Sequence, residues 1–231
     1  FGYDKFITEL EMDYREKDGT SEYINDRSAY NQVLDTLNEN DGNQFVTLVT
    51  MQNHLPYNPG TYKDTQFSVL NDNLSAVKKS EIATYYQTLH NSDKYLGEFI
   101  SKLNESDEKT AVLFFGDHSA GIFDITNGNQ KKEVRDLSRL TPYFVYTNFD
   151  SETEQDIKLN TTTPNCLGNT LFNVLNVKKP KIDYLLDEIC AESPILTNSW
   201  LGEVAAEKTK ALESYQLVIY DLLGGKRYWG R

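Results

Sequence analysis

The 231 residues carry 23 Lys and Arg against 35 Asp and Glu, a formal net charge of −12. That balance excludes a nucleic-acid partner, since polyanion binding needs clustered basic residues to neutralise phosphates. No apolar run approaches the ~20 residues a bilayer span requires, and Phe1-Gly-Tyr-Asp-Lys5 reads as mid-domain sequence rather than a signal peptide, so the chain reads as cut from something longer.

With 39% hydrophobic residues, 15 Tyr and 11 Phe, the chain suffices for one large α/β domain. Residues 1–25 are mixed and polar, an irregular lead-in. Asp26 is placed to cap a helix reaching Asn38, with Tyr30, Val33, Leu34 and Leu37 on one face. After the turn signal Asn40-Asp-Gly-Asn43, the β-branched and aromatic run Gln44-Phe-Val-Thr-Leu-Val-Thr50 predicts a core strand. A turn-rich loop containing His54 follows. Residues 81–103 carry the clearest helical period, through Ile82, Tyr85, Tyr86, Leu89, Leu96, Phe99, Ile100 and Leu103, with Asp93 interrupting the apolar face.

Ala111-Val-Leu-Phe-Phe115 predicts a strand buried on both faces, as in a parallel sheet covered by helices. A polar segment, 122–140, reads as a mobile loop, Pro142–Thr147 as another strand, and 149–163 as a solvated connection. Thr163-Pro164 is an N-cap and N1 pair for a helix through Val177. A short helix is expected over 182–190. A last one spans 203–223, with Leu212, Tyr215, Ile219, Leu222 and Leu223 inward and Gly224-Gly225 ending it. The alternation predicts a largely parallel central sheet flanked by helices.

Chemistry-bearing residues gather just past predicted strand ends, where open α/β sheets place their ligands. Asp117 and His118 follow the 111–115 strand, and His54 follows the 44–50 strand. A carboxylate and an imidazole on one short turn can serve a divalent cation, although a catalytic site needs roughly three protein ligands. A capped turn with a surface histidine explains the pair equally well. His90, at the edge of the long helix's stripe, reads as structural packing. The cysteines, Cys166 and Cys190, are compatible with a disulfide in an exported protein or with two buried thiols.

Five segments together resemble the lipoteichoic-acid-synthase-like phosphoglycerol transferases of the alkaline phosphatase and sulfatase superfamily. They are Phe1-Gly-Tyr-Asp-Lys-Phe6, Thr50-Met-Gln-Asn-His-Leu-Pro-Tyr57, Phe115-Gly-Asp-His118, Thr141-Pro-Tyr-Phe-Val-Tyr146 and Tyr215-Gln-Leu-Val-Ile-Tyr-Asp-Leu-Leu-Gly-Gly-Lys-Arg-Tyr228. Cys166 stands where the family pattern carries a Tyr. The resemblance implies an alkaline phosphatase/sulfatase-like fold, incomplete at its N-terminal side, and residues 1–231 as the carboxyl-terminal part of the catalytic domain. It implies Asp117 and His118 as ligands of Mn²⁺ or Mg²⁺, and His54 and His90 as substrate-side groups. It also implies a Thr nucleophile and a Glu ligand upstream of this chain, with no catalytic nucleophile inside it.

The implied reaction moves phosphoglycerol from a phosphatidylglycerol-type lipid to an envelope polymer or glycolipid acceptor, at the extracellular face of a bacterial membrane. Membrane contact would come through helices preceding this chain, and the chain alone should be inactive and prone to self-association. A sulfate- or phosphate-ester hydrolase of the same superfamily, or a non-catalytic envelope-binding domain, are the alternatives.

Overall fold

The computed structural model describes residues 2–39, 42–122, 139–150, 160–192, 195 and 210–229. These fall into two compact units, Phe1–Glu108 with His118–Leu140 and Lys109–Asp117 with Thr141–Arg231. In the first unit, the lead-in is irregular as expected, with one 3₁₀ turn at Glu9–Glu11. Helix α1 spans Asp26–Glu39 and helix α2 spans Ala76–Asn104.

The cap of α1 is Asn25 rather than Asp26: the Ser28 backbone N–H donates to Asn25 Oδ1 at 2.9 Å. Asp26 becomes the first helical residue, buried, with its carboxylate committed to α2. Helix α2 begins earlier than its apolar period suggests, because Ser75 caps it through Lys78 N–H at 3.1 Å. Its buried face is also rotated from the predicted one. Tyr86 and Leu89 are exposed, whereas Thr84, Gln87, Thr88, Ser92 and Tyr95 are buried beside Ile82, Phe99 and Leu103. Asp93 is exposed, so the carboxylate that interrupts the apolar pattern lies in water. Helices α1 and α2 pack through Tyr30 stacked on Phe99 at 4.7 Å and the Arg27 guanidinium forked onto Glu98 at 2.7 and 2.8 Å. A second small core joins Tyr57, Ile82 and Ile122.

The predicted strand 44–50 enters no sheet among the described residues. Its two faces are exposed, with Phe45 and Val49 more than 70% accessible. Among the described residues no other segment forms a ladder with it, and an apolar stretch without backbone partners cannot be a core strand.

The second unit contains strands β1 (Ala111–Phe115) and β2 (Tyr143–Thr147) and helices α3 (Leu167–Leu175), α4 (Lys181–Glu192) and α5 (Lys210–Leu223). The strands form a two-stranded antiparallel sheet, with Leu113 opposite Val145 and Phe114 stacked on Phe144 at 4.9 Å. The expected large parallel sheet is therefore not present among the described residues; the pairing that forms is antiparallel, β2 against β1. The helix read at 163–177 is a 3₁₀ turn, Pro164–Cys166, running into α3, and Asn176 ends it in the left-handed region at φ 49°. Cys166 and Cys190 form a disulfide that ties the start of α3 to α4. In α5, Leu212 and Val218 are buried, but Leu223, expected inward, is 83% exposed. Gly225 closes the helix because a Cβ there would lie 2.6 Å from Asp221 Cα. The loop read at 122–140 and the connection at 149–163 lie largely outside the described residues, as does 203–209.

Candidate functional site

His54 sits on the loop that follows the stretch 44–50, one residue before the cis Leu55–Pro56 peptide. Its Nδ1 is 2.7 Å from the Leu55 carbonyl oxygen and 3.3 Å from the Tyr23 hydroxyl. A carbonyl only accepts, so Nδ1 carries the hydrogen in the neutral ring and Nε2 keeps the lone pair. Tyr23 donates its own hydroxyl proton to the same carbonyl at 2.8 Å and meets the imidazole edge to face, which fixes the ring plane.

His118 repeats the arrangement. Its Nδ1 is 2.9 Å from the Ser119 carbonyl, which again leaves Nε2 as the lone-pair atom. The two imidazoles lie edge to face with centroids 6.0 Å apart. Two residues that the sequence separates by 64 positions are thus brought together with the same tautomer. His90 does not join them: it is exposed on α2, with its ring against Phe67 at 5.7 Å. Asp117, the residue before His118, is exposed and belongs to the second unit. Ahead of it, Thr141 Oγ1 donates to the Gly116 carbonyl and Gly116 N–H donates to the Pro142 carbonyl at 3.1 Å, so the end of β1 is fixed.

Beneath His54 lies a polar network that the apolar pattern concealed. Gln52 is buried; its Oε1 accepts from Asp26 N–H at 2.7 Å and its Nε2 donates to the Thr88 carbonyl at 3.3 Å. Asn53 Nδ2 donates to Ser92 Oγ at 2.7 Å, and the Asn53 carbonyl accepts from Tyr57 OH at 2.7 Å. Asp18 anchors the outer side, accepting from Asn25 at 2.9 Å, Asn91 at 2.7 Å and Tyr95 OH at 3.0 Å. Gly19 makes this possible: it adopts φ +56°, and a Cβ there would sit 1.9 Å from the Thr61 carbonyl oxygen. A pocket opens above the network, lined by Thr20, Tyr23, Gln52, His54, Tyr57 and Thr88. Tyr23 and Ser92 were not singled out from sequence, Asp26 was read only as a helix cap, and Gln52 and Asn53 only as part of the 50–57 motif. The signal available was the polar series Thr84, Thr88, Asn91, Ser92 and Tyr95, which recurs at three and four residues on α2.

Asp117 and His118 carry oxygen and nitrogen donors of a kind that would suit a hard to borderline divalent ion. Among the described residues no group of three or more His, Cys, Asp or Glu comes together.

A protein of Rhizobium meliloti (strain 1021) named for cyclic beta-1,2-glucan modification is 24% identical over 249 residues, covering 99% of this chain and 38% of the relative. The structure of Streptococcus pyogenes phosphoglycerol transferase GacH in complex with sn-glycerol-1-phosphate superposes with a TM-score of 0.73 at 22% identity, over 94% of this chain and 53% of that one. The chain thus spans between about a third and about half of the proteins it matches. A sequence profile of the sulfatase family matches residues 1–177, a stretch that holds His54, Asp117 and His118, and the chain belongs to that family.

Proposed function

We propose that this chain forms the substrate-side part of a metal-dependent phosphoglycerol transferase. The observation that carries the proposal is the edge-to-face convergence of His54 and His118, each with Nδ1 tied to a backbone carbonyl. The match to GacH, solved in complex with sn-glycerol-1-phosphate, supports phosphoglycerol as the group moved. The rhizobial relative's name supports a glycan acceptor. The donor in this reading is a phosphatidylglycerol-type lipid, and the acceptor an envelope polymer or glycolipid.

His54 stands on the substrate side: neutral, its Nε2 accepts from a glycerol hydroxyl; protonated, it donates to a phosphoryl oxygen. His90 is a second substrate-side candidate, placed apart on α2. Asp117 and His118 would hold Mn²⁺ or Mg²⁺ together with donors beyond these two, since about three protein ligands are needed. When bound, the ion lowers the pKa of the attacking hydroxyl and neutralises phosphoryl charge. The Cys166–Cys190 disulfide supports work outside the cytosol, where such bonds persist. No helix among the described residues is long and apolar enough to cross a membrane.

The test is a titration of the chain with sn-glycerol 1-phosphate, with and without Mg²⁺, read on the three histidine ring signals by NMR. Shifts at His54 and His118, with His54→Ala weakening binding at least ~10-fold, are expected. Binding that leaves both signals unmoved would overturn the proposal. With two donors the chain alone should bind without turnover, whereas His54→Ala in a complete enzyme should lower transfer by roughly 10²–10⁴. Ester hydrolysis is the second reading, favoured by the family match itself. Release of the group into water with no acceptor present would select it.

A further inference from the structure

We propose that Ser92, backed by Asp26, is the positioning residue for His54. Ser92 is buried on α2, and its hydroxyl bonds both the Asn53 side chain and the Asp26 carboxylate. Asn53 Nδ2 can only donate, so Ser92 Oγ accepts from it at 2.7 Å. The single Ser92 proton then goes to Asp26 Oδ2 at 2.5 Å, and a carboxylate can only accept. The direction of every bond is thereby set. Asn53 side chain, Ser92 hydroxyl and Asp26 carboxylate form one relay from the His54 loop through α2 to the start of α1.

Gln52 closes the relay from the other side, accepting from the Asp26 N–H and donating to the Thr88 carbonyl one turn before Ser92. The two residues immediately before His54 are thus each held by α2. His54 N–H donates to the Met51 carbonyl at 3.0 Å, so the imidazole inherits the pose of that held loop. Charge-assisted bonds in a buried network are the strong ones, and a hydroxyl that joins a carboxylate to a side-chain amide is hard to replace. Ser92 itself lines no part of the pocket, so it acts through Asn53 and not on a ligand.

The functional meaning rests on His54 serving the substrate, but the positioning is measurable without it. The ring signals of His54 are compared in the unmodified chain, Ser92→Ala, Ser92→Thr, Asn53→Ala and the Ser92→Ala/Asn53→Ala double variant. His90, two residues before Ser92 on the same helix, reports whether α2 itself is disturbed. Ser92→Ala should shift or broaden the His54 signals while His90 stays in place, and Ser92→Thr, which keeps the hydroxyl, should restore them. The double variant should match either single one, because both cut the same bond. Glycerol phosphate binding, measured separately, should weaken ~10-fold in Ser92→Ala if His54 serves that ligand. Unchanged His54 signals in Ser92→Ala, or additive shifts in the double variant, overturn the positioning role. Altered signals with unaltered glycerol phosphate binding leave the positioning standing and overturn the substrate assignment of His54 instead.

Discussion

At the scale of single residues, the Asp26 carboxylate is held at a cost. It is 3% exposed, and its Oδ1 has no hydrogen-bond partner among the described residues. Burial first, then the charge of Asp18, pushes its pKa up to about 6, against the opposing bonds from Ser92 and the Asp26–Gln52 backbone contact. A folded-state pKa above the unfolded value of 3.8 means that the native state keeps its proton longer than the unfolded chain does. Stability from this group is therefore highest below pH 4, falls as pH rises to about 6, and is level above. The loss is on the order of 3 kcal/mol at most, at ~1.4 kcal/mol per pH unit. Asp26→Asn, which retains an acceptor for Ser92, should raise the urea midpoint at pH 7.5 and change it little at pH 4. An equal shift at both pH values would show that the charge is not what matters. The Arg27–Glu98 pair beside it is more than a third exposed, so Glu98→Gln should cost under ~1 kcal/mol. Asp26 was legible in the sequence as a helix-start residue but not as a buried one. An Asn-Asp dipeptide offers two capping side chains, and which one turns inward depends on a hydroxyl 66 residues away.

At the scale of elements, the helices were readable because capping and apolar period are local. The start of α1, the end of α2, the α3 and α4 helices and the Gly-Gly stop of α5 follow from residues within a turn or two of each other. What local pattern could not give was the rotation of α2. Its buried face includes Gln87, Thr88 and Ser92 because Gln66 N–H donates to the Gln87 side chain while Gln52 and Asn53 donate to the Thr88 carbonyl and the Ser92 hydroxyl, and polar burial of that kind depends on partners distant in sequence. The direction of β2 was hidden for a similar reason: an apolar run states that a strand is buried, not which way its neighbour runs. Two substitutions test how far the elements depend on single contacts. Gly19→Ala places a methyl onto the Thr61 carbonyl at positive φ and should destabilise by more than ~1 kcal/mol, with loss of the His54 ring position. Paired Cys166→Ala and Cys190→Ala open a loop of sequence separation 24 and should cost about 3 kcal/mol on a chain-entropy estimate. Thermal unfolding checks both; an unchanged Tm in the cysteine pair would mean that the α3–α4 contact stands without its covalent tie.

At the scale of the whole chain, charge, exposure and the stretch 44–50 meet in one consequence. Residues 45 and 47 point to the same side, as strand geometry requires: Tyr3 stacks on Phe45 at 6.2 Å and its hydroxyl meets Thr47 Oγ1 at 2.6 Å. Phe45, Val46, Leu48 and Val49 are exposed to solvent. An exposed, apolar segment without ladder partners is a template for pairing with another chain. A net charge of −12 opposes that pairing by repulsion between copies, and screening by salt removes the opposition. Self-association of this chain should therefore strengthen with both protein concentration and ionic strength, the reverse of what surface ion pairs would give. Light scattering after size exclusion, at 50 and 500 mM NaCl across the ~µM range in which such edges associate, provides the measurement. Val49→Lys puts a charge within the apolar stretch without touching any hydrogen bond described for it, and should hold the chain monomeric at both salt concentrations. A parent chain that stays monomeric throughout, or a Val49→Lys variant that associates as readily as its parent, would place the apolar pairing surface somewhere other than residues 44–50.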